Sequence, residues 1–239
     1  MSEDLMATEE AGRDVLNRLM AMTRELGEPQ RDYVILSEGN TSALLDDGTY
    51  WVKASGEPLA KAGPGAFVRV QHSHVLALVN GLDLTEGEMR AELGAARVNA
   101  EGAALPSIEA AMHAVCLSLE GVFFVGHTHP PAVNAILCSR RARSAFRRPL
   151  YPVETALWRS PLFVRHAPPG QPLARQLQRA LEGYGRKHVE APSAILLEGH
   201  GLAALGNTPQ AVLDTTALVV KMARILVGTY ALGGPRWVE

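Results

Sequence analysis

The chain has 239 residues, 47 % of them hydrophobic, and a formal net charge of −2. That balance supplies a packed core and excludes the disordered class; the length fits one large domain or two small ones, and with no internal repeat, low-complexity tract or linker, one domain over residues 1–239 is the simpler reading. The charge balance also argues against a nucleic-acid partner. Basic residues gather only at Arg140, Arg141, Arg143, Arg147 and Arg148, without the wider spread and interleaved aromatics of such a surface. The two cysteines, Cys116 and Cys138, lack CxxC spacing and sit among apolar neighbours. Buried, inert thiols in a reducing compartment are expected. The acidic start, MSEDLMATEE, has no signal-peptide core, and no apolar run reaches membrane-spanning length. The expectation is a soluble cytoplasmic protein with no membrane partner.

Taken in order, residues Glu9 to Leu26 read as a helix, with Val15, Leu16, Leu19, Met20 and Leu26 at helical spacing and Gly27 as the stop. Tyr33 to Leu36 reads as a short strand entering a turn-forming cluster, SEGNTS, Ser37 to Ser42. Asp46-Asp47-Gly48 predicts a hairpin turn, and Thr49 to Lys53 the returning strand. A small-residue loop, Ala54-Ser55-Gly56, follows, and Phe67 to Val70 is a further strand. Leu82 to Leu105 shows no clear period. Pro106 opens a helix with Ser107 as its cap, an apolar stripe at Ile108, Met112, Val115 and Leu119, and Glu109 and His113 four apart on one face. Val122 to Val125 reads as a buried strand that stops at Gly126. A helix from Ala132 to Arg140, a strand from Pro161 to Val164 and a helix through Leu173, Leu177, Leu181 and Tyr184 follow. Ser193 to Leu197 is a buried strand running into Glu198-Gly199-His200-Gly201. The last helix takes Thr208 as cap and Pro209 at its first position. Strands and helices alternate irregularly, which predicts a mixed sheet covered by helices.

The chemistry concentrates where strands break into small residues. Strand periodicity turns His127 and His129 toward one point, and Pro130-Pro131 ends the strand. His200 stands between two glycines, which leave room for a close approach. Three neutral imidazoles with an open fourth position are a pattern of catalytic rather than structural zinc. A second H-x-H, His72 and His74, has no turn chemistry around it and reads as a solvated loop. His166 and His188 belong to no constellation.

HTHPPAVNAIL, the EGHGL segment, the SEGNTS and KASG loops and PSIE before a helix stand in one order. In that order the chain resembles the class II aldolase/adducin family, over roughly Val15 to Val227. The resemblance implies a three-layer α/β/α fold with a mixed central sheet, assembled as a homotetramer around a four-fold axis. It implies a divalent metal on His127, His129 and His200, commonly zinc, with manganese, cobalt or iron also compatible with imidazole. The family's catalytic glutamate falls on Glu109, and its anion-binding loops on Gly39, Asn40, Ser55, Gly56 and Ser107. Tyr151 is the candidate for the family's tyrosine proton donor. Tyr230 and Trp237 lie in the tail that in the family reaches a neighbouring subunit.

The implied activity is that of an aldolase. The metal stabilises the negative charge left by cleavage of a C–C bond, a carboxylate moves the proton, and the open N–H groups at Gly39 and Asn40 suit a phosphate. The substrate class is a small hydroxy-ketone, sugar phosphate or keto acid. Epimerisation, decarboxylation and dehydration use the same platform, and an adducin-like assembly protein would lack the ligands. One departure bears on substrate: the second serine expected before the glutamate is Ile108. Its absence weakens the case for a phosphate monoester, unless Lys53 compensates rather than lying in solvent.

Overall fold

The computed structural model describes residues 3–98, 104–148, 150 and 161–237, with side chains from residue 9 onward. Seven strands are described: β1 (Asn40–Leu44), β2 (Thr49–Lys53), β3 (Phe67–Gln71), β4 (Phe124–Thr128), β5 (Leu162–Val164), β6 (Ala194–Leu197) and β7 (Gly201–Gly206). The α-helices are α1 (Glu3–Leu26), α2 (His72–Asn80), α3 (Glu86–Ala95), α4 (Ala110–Leu117), α5 (Pro131–Leu137), α6 (Gln171–Gly185) and α7 (Pro209–Ala231). The strands form one sheet in the order β3-β2-β1-β4-β7-β6-β5. It is antiparallel except for the parallel β5–β6 pair, so the expected mixed sheet is present.

Helices cover both faces. On one, Val52, Val70, Val125, Ile195 and Ala203 meet side chains of α2, α4 and α6. On the other, Ala43, Phe124, Leu196 and Ala204 meet those of α1, α5 and α7. The three-layer expectation holds because strand side chains alternate between faces. In β1, Asn40 and Ser42 turn toward α4, whereas Thr41 bonds Thr23 of α1 at 2.6 Å. Gly126 stays within β4 rather than ending it. A Cβ there would lie 2.7 Å from Val212 Cγ1 and 2.9 Å from Leu26 Cδ1, so its bareness lets α1 and α7 close on the sheet.

Several expectations change. Tyr33 to Leu36 is not a strand. Asp32 and Leu36 take left-handed φ of 57° and 54°, which breaks extension, and the Tyr33 carbonyl accepts from His129 N–H at 2.9 Å instead of joining the sheet. The SEGNTS turn ends at Gly39, and β1 has already begun at Asn40. The helix after Pro106 starts only at Ala110, with Glu109 in the cap position. Ser107 therefore does not cap α4 itself; its Oγ accepts from Glu109 N–H at 3.3 Å in the turn that leads into the helix. The expected one-sided stripe is also absent, because all eight residues of α4 are buried. Strand β7 was not expected: Leu202 to Leu205 are buried on both faces and show no alternation. Cys138 is exposed, unlike Cys116, whose thiol burial pushes up to about 12. The His72/His74 segment is the first turn of α2, not a solvated loop. No described helix is long and apolar enough to cross a membrane.

Candidate metal centre

The sheet gathers residues far apart in sequence at the C-terminal end of β4. Asn40 pairs with His127 across β1 and β4, and Thr128 pairs with Leu202 across β4 and β7. His200 sits in the tight link between β6 and β7. Gly199 there has φ of 63°, and Asn134 of α5 donates its amide to the His200 carbonyl at 3.0 Å. Gly201 has no room for a side chain, since a Cβ would stand 2.6 Å from the Thr128 carbonyl and 2.7 Å from the His129 ring.

The three imidazoles converge. His127 Nε2 lies 2.9 Å from His129 Nε2 and 3.3 Å from His200 Nε2, and the three ligand nitrogens fall within 4.8 Å of one another. These residues fit a divalent cation. The Leu202 carbonyl, 3.0 Å from His127 Nδ1, accepts a hydrogen bond from the Nδ1–H of the neutral ring and leaves the Nε2 lone pair facing the cluster. Burial, with His127 and His200 adding to it, pushes the His129 pKa down to about 3, so that ring is neutral.

Glu109 closes the cluster from α4. One carboxylate oxygen is 3.0 Å from His200 Nε2, the other 3.5 Å from His127 Nε2. Burial pushes the Glu109 pKa up, but His127 and His200 outweigh it and hold the carboxyl well below the usual carboxylate range. Burial likewise pulls His127 down, and Glu109 more than offsets that, leaving it raised. An ionised carboxylate therefore lies against the point where the histidines meet, within reach of the same cation or of a proton on a ligand bound there.

The small-residue loops arrive at the same end. Gly39, at φ 73°, passes so close to β4 that a Cβ would stand 2.6 Å from the His127 carbonyl. An isolated bridge between Ala54 and Pro106 sets the Ser55-Gly56 turn beside Ser107. Asn40 is not in an open loop: it starts β1 opposite His127, and it is its buried side-chain amide that reaches the site, donating to Glu109 Oε2 at 2.7 Å and to Ser107 Oγ at 3.2 Å. Lys53 is not solvated. It is 1 % exposed, its ammonium donates to the Ala54 carbonyl at 2.9 Å, and burial lowers its pKa. Ile108 packs against Gly170 at the start of α6. Tyr151 lies outside the described residues. Tyr230 and Trp237 pack on the α1/α5/α7 core of their own chain.

Sequence reasoning missed two partners of this site. Glu38 carries a carboxylate 3.7 Å from His129 Nδ1, and Ser42 bonds His113 at 2.7 Å. The only signal for Ser42 was its place two residues after Asn40 in a strand; Glu38 had none beyond lying in the turn.

The profile of the class II aldolase and adducin N-terminal domain matches residues 17–227. The chain belongs to that family. Among solved structures, the N-terminal class II aldolase domain of a conserved protein from Thermoplasma acidophilum is 22 % identical, with a TM-score of 0.70, covering 89 % of this chain and 93 % of that one. YgbL from Klebsiella pneumoniae, described as a putative aldolase/epimerase/decarboxylase, is 19 % identical, with a TM-score of 0.69 and coverage of 95 % and 94 %. L-fuculose-1-phosphate aldolase from Thermus thermophilus is 20 % identical, with a TM-score of 0.63 and coverage of 91 % and 97 %. These likenesses show the shared fold. No curated protein sequence matches.

Proposed function

We propose that this chain is a divalent-metal-dependent lyase of the aldolase type, cleaving or forming a C–C bond in a small hydroxy-ketone, sugar-phosphate or keto-acid substrate. The observation that carries this is the convergence of His127, His129 and His200 with the Glu109 carboxylate against them. His127, His129 and His200 would hold the cation, with zinc the first candidate. When bound, the cation supplies Lewis-acid stabilisation of the negative charge that C–C cleavage leaves on oxygen.

The chain's own residues do the rest. Glu109, kept ionised by its histidine neighbours, accepts or returns a proton. Asn40 holds that carboxylate from behind. Ser107, whose Oγ already accepts from Asn40 and Glu109 N–H, keeps its own proton to donate to a substrate oxygen. Gly39, Ser55 and Gly56 shape the adjoining anion subsite, and Tyr151 is the candidate proton donor to the departing carbonyl fragment. Ile108 against Gly170 offers no second hydroxyl, which favours an unphosphorylated or carboxylate-bearing substrate. Family membership alone supports a homotetramer, a cytoplasmic setting and one domain over 1–239.

The test is a screen of hydroxy-ketones and keto acids, with and without phosphate, against added zinc, manganese, cobalt and iron, with products identified by NMR. Metal-dependent cleavage is expected. Turnover that survives both chelation and His129→Ala would sink the proposal. Decarboxylation, dehydration or epimerisation products would move the chain to one of those reactions on the same site.

A further inference from the structure

Behind Glu109, between β1 and α4, runs a polar chain in an otherwise apolar layer. His113 and Ser42 are fully buried, and Asn40 nearly so. His113 Nε2 bonds the Asn40 side-chain oxygen, and His113 Nδ1 lies 2.7 Å from Ser42 Oγ. From its other end the Asn40 amide donates to Glu109 Oε2 at 2.7 Å.

The proton inventory of this chain has one consistent solution. An amide oxygen can only accept, so His113 Nε2 carries the proton. Nδ1 is then an acceptor, and the Ser42 hydroxyl donates to it. Flipping the amide would set its oxygen against the Glu109 carboxylate, a repulsion that no change of His113 tautomer relieves. Hydroxyl, ring and amide therefore hold one orientation together, and the amide N–H holds the carboxylate. Burial and the charge on His127 push the His113 pKa down to about 3, so the ring stays neutral at ordinary pH. Local geometry makes the arrangement: residues i and i+2 of β1 share a face, as do residues i and i+4 at the start of α4.

We propose that Ser42, His113 and Asn40 are positioning residues that lock the Glu109 carboxylate in the orientation facing the histidine cluster. The proposal rests on the reading of Glu109 as the proton-transfer group, and the chain of donors can be tested apart from it.

The first measurement uses the protein as purified, labelled with 15N at histidine and at the asparagine side chain. The expected spectra show His113 as the neutral Nε2–H tautomer from pH 5 to 8. They also show an Asn40 amide signal that moves in both Glu109→Gln and Ser42→Ala. An Nδ1–H tautomer, a cationic His113, or an Asn40 signal indifferent to either substitution overturns the proposal, whatever the chain catalyses.

The second measurement uses the compound that the screen identifies. Ser42→Ala is expected to lower kcat about tenfold and His113→Gln about a hundredfold, with KM held within about twofold. The control is Thr23→Ala, which removes the buried bond to Thr41 on the opposite face of β1 and should leave kcat unchanged. If kcat falls in all three in step with thermal stability, or in none, the role is structural and the proposal fails. If nothing is turned over by the wild type, the lyase reading fails and the spectra still decide the chain of donors.

Discussion

Two H-x-H tripeptides stand in this chain, and they end in different chemistry. His127 and His129 end a strand, so both rings turn to one side and their Nε2 atoms lie 2.9 Å apart. His72 and His74 open helix α2, where two residues differ by about 200° around the axis. The rings part accordingly: His72 bonds the Ala114 carbonyl at 2.8 Å, and His74 pairs with Glu92 at 3.6 Å. The same three-residue pattern gathers ligands in one backbone and disperses them in the other. Only the strand pair meets a third imidazole and a carboxylate.

The largest break of that contrast is expected from His129→Ala. Losing one of three ligands should remove stoichiometric metal, measured by elemental analysis, while His74→Ala leaves it unchanged. Equal metal content in both variants would show that the strand pair is no better a site than the helix pair.

Next, Glu109→Gln should retain metal and lower turnover on the screened substrate by about 10²–10⁴-fold, the range for a lost general acid–base group. Wild-type turnover in that variant would remove Glu109 from proton transfer.

Gly39→Ala attacks the backbone that seats His127. A left-handed φ of 73° and a Cβ 2.6 Å from the His127 carbonyl should destabilise by about 1–3 kcal/mol, read by urea unfolding. A variant as stable as wild type would show that the loop moves aside freely.

A pH effect sharpens the contrast further. His113 has its folded pKa lowered from 6.5 to about 3 by burial and by His127, against the opposing pull of Glu109. Below pH 6.5 the unfolded chain binds a proton that the folded ring refuses. The His113 contribution is therefore intact above that pH and is lost as pH falls toward 3, by about 2 kcal/mol at pH 5. Unfolding of wild type and His113→Gln at pH 7.5 and 5 should show a smaller acid loss in the variant. Equal losses would put the acid sensitivity elsewhere.

The smallest effect belongs to the exposed His74–Glu92 pair. His74→Ala should change stability by less than about 1 kcal/mol, and a larger loss would give the helix pair a structural role beyond a surface ion pair.

Much of the site was legible because its signals are local. The periodicity of HTH and the glycines around His200 are signals carried within a few residues, whereas Glu109 was singled out through the resemblance of its PSIE segment. Elements read less evenly. The hairpin at Asp46-Asp47-Gly48 and the cap at Thr208 were visible in their turn and capping residues. Strand β7 was not: it carries no alternation, and its run Leu202-Ala203-Ala204-Leu205 is made of helix-favouring residues, without the β-branched Ile195 that marks β6. Tyr33 to Leu36 misled because its apolar pattern satisfied a strand template while two left-handed residues broke it. The His72/His74 segment misled for the opposite reason: its helix depends on packing against α4, which no local signal announces.

By itself, then, the sequence determined which residue types are candidates for the site and the backbone forms that aim them, since periodicity and turn preferences are properties of neighbouring residues. Tertiary structure alone decided which of those residues meet. It put Asn40 on Glu109, Ser42 on His113 and Lys53 out of solvent, across separations set by sheet order and helix packing. Burial and the neighbours it brings together then did what no spacing records: between them they set which groups hold a charge and which stay neutral.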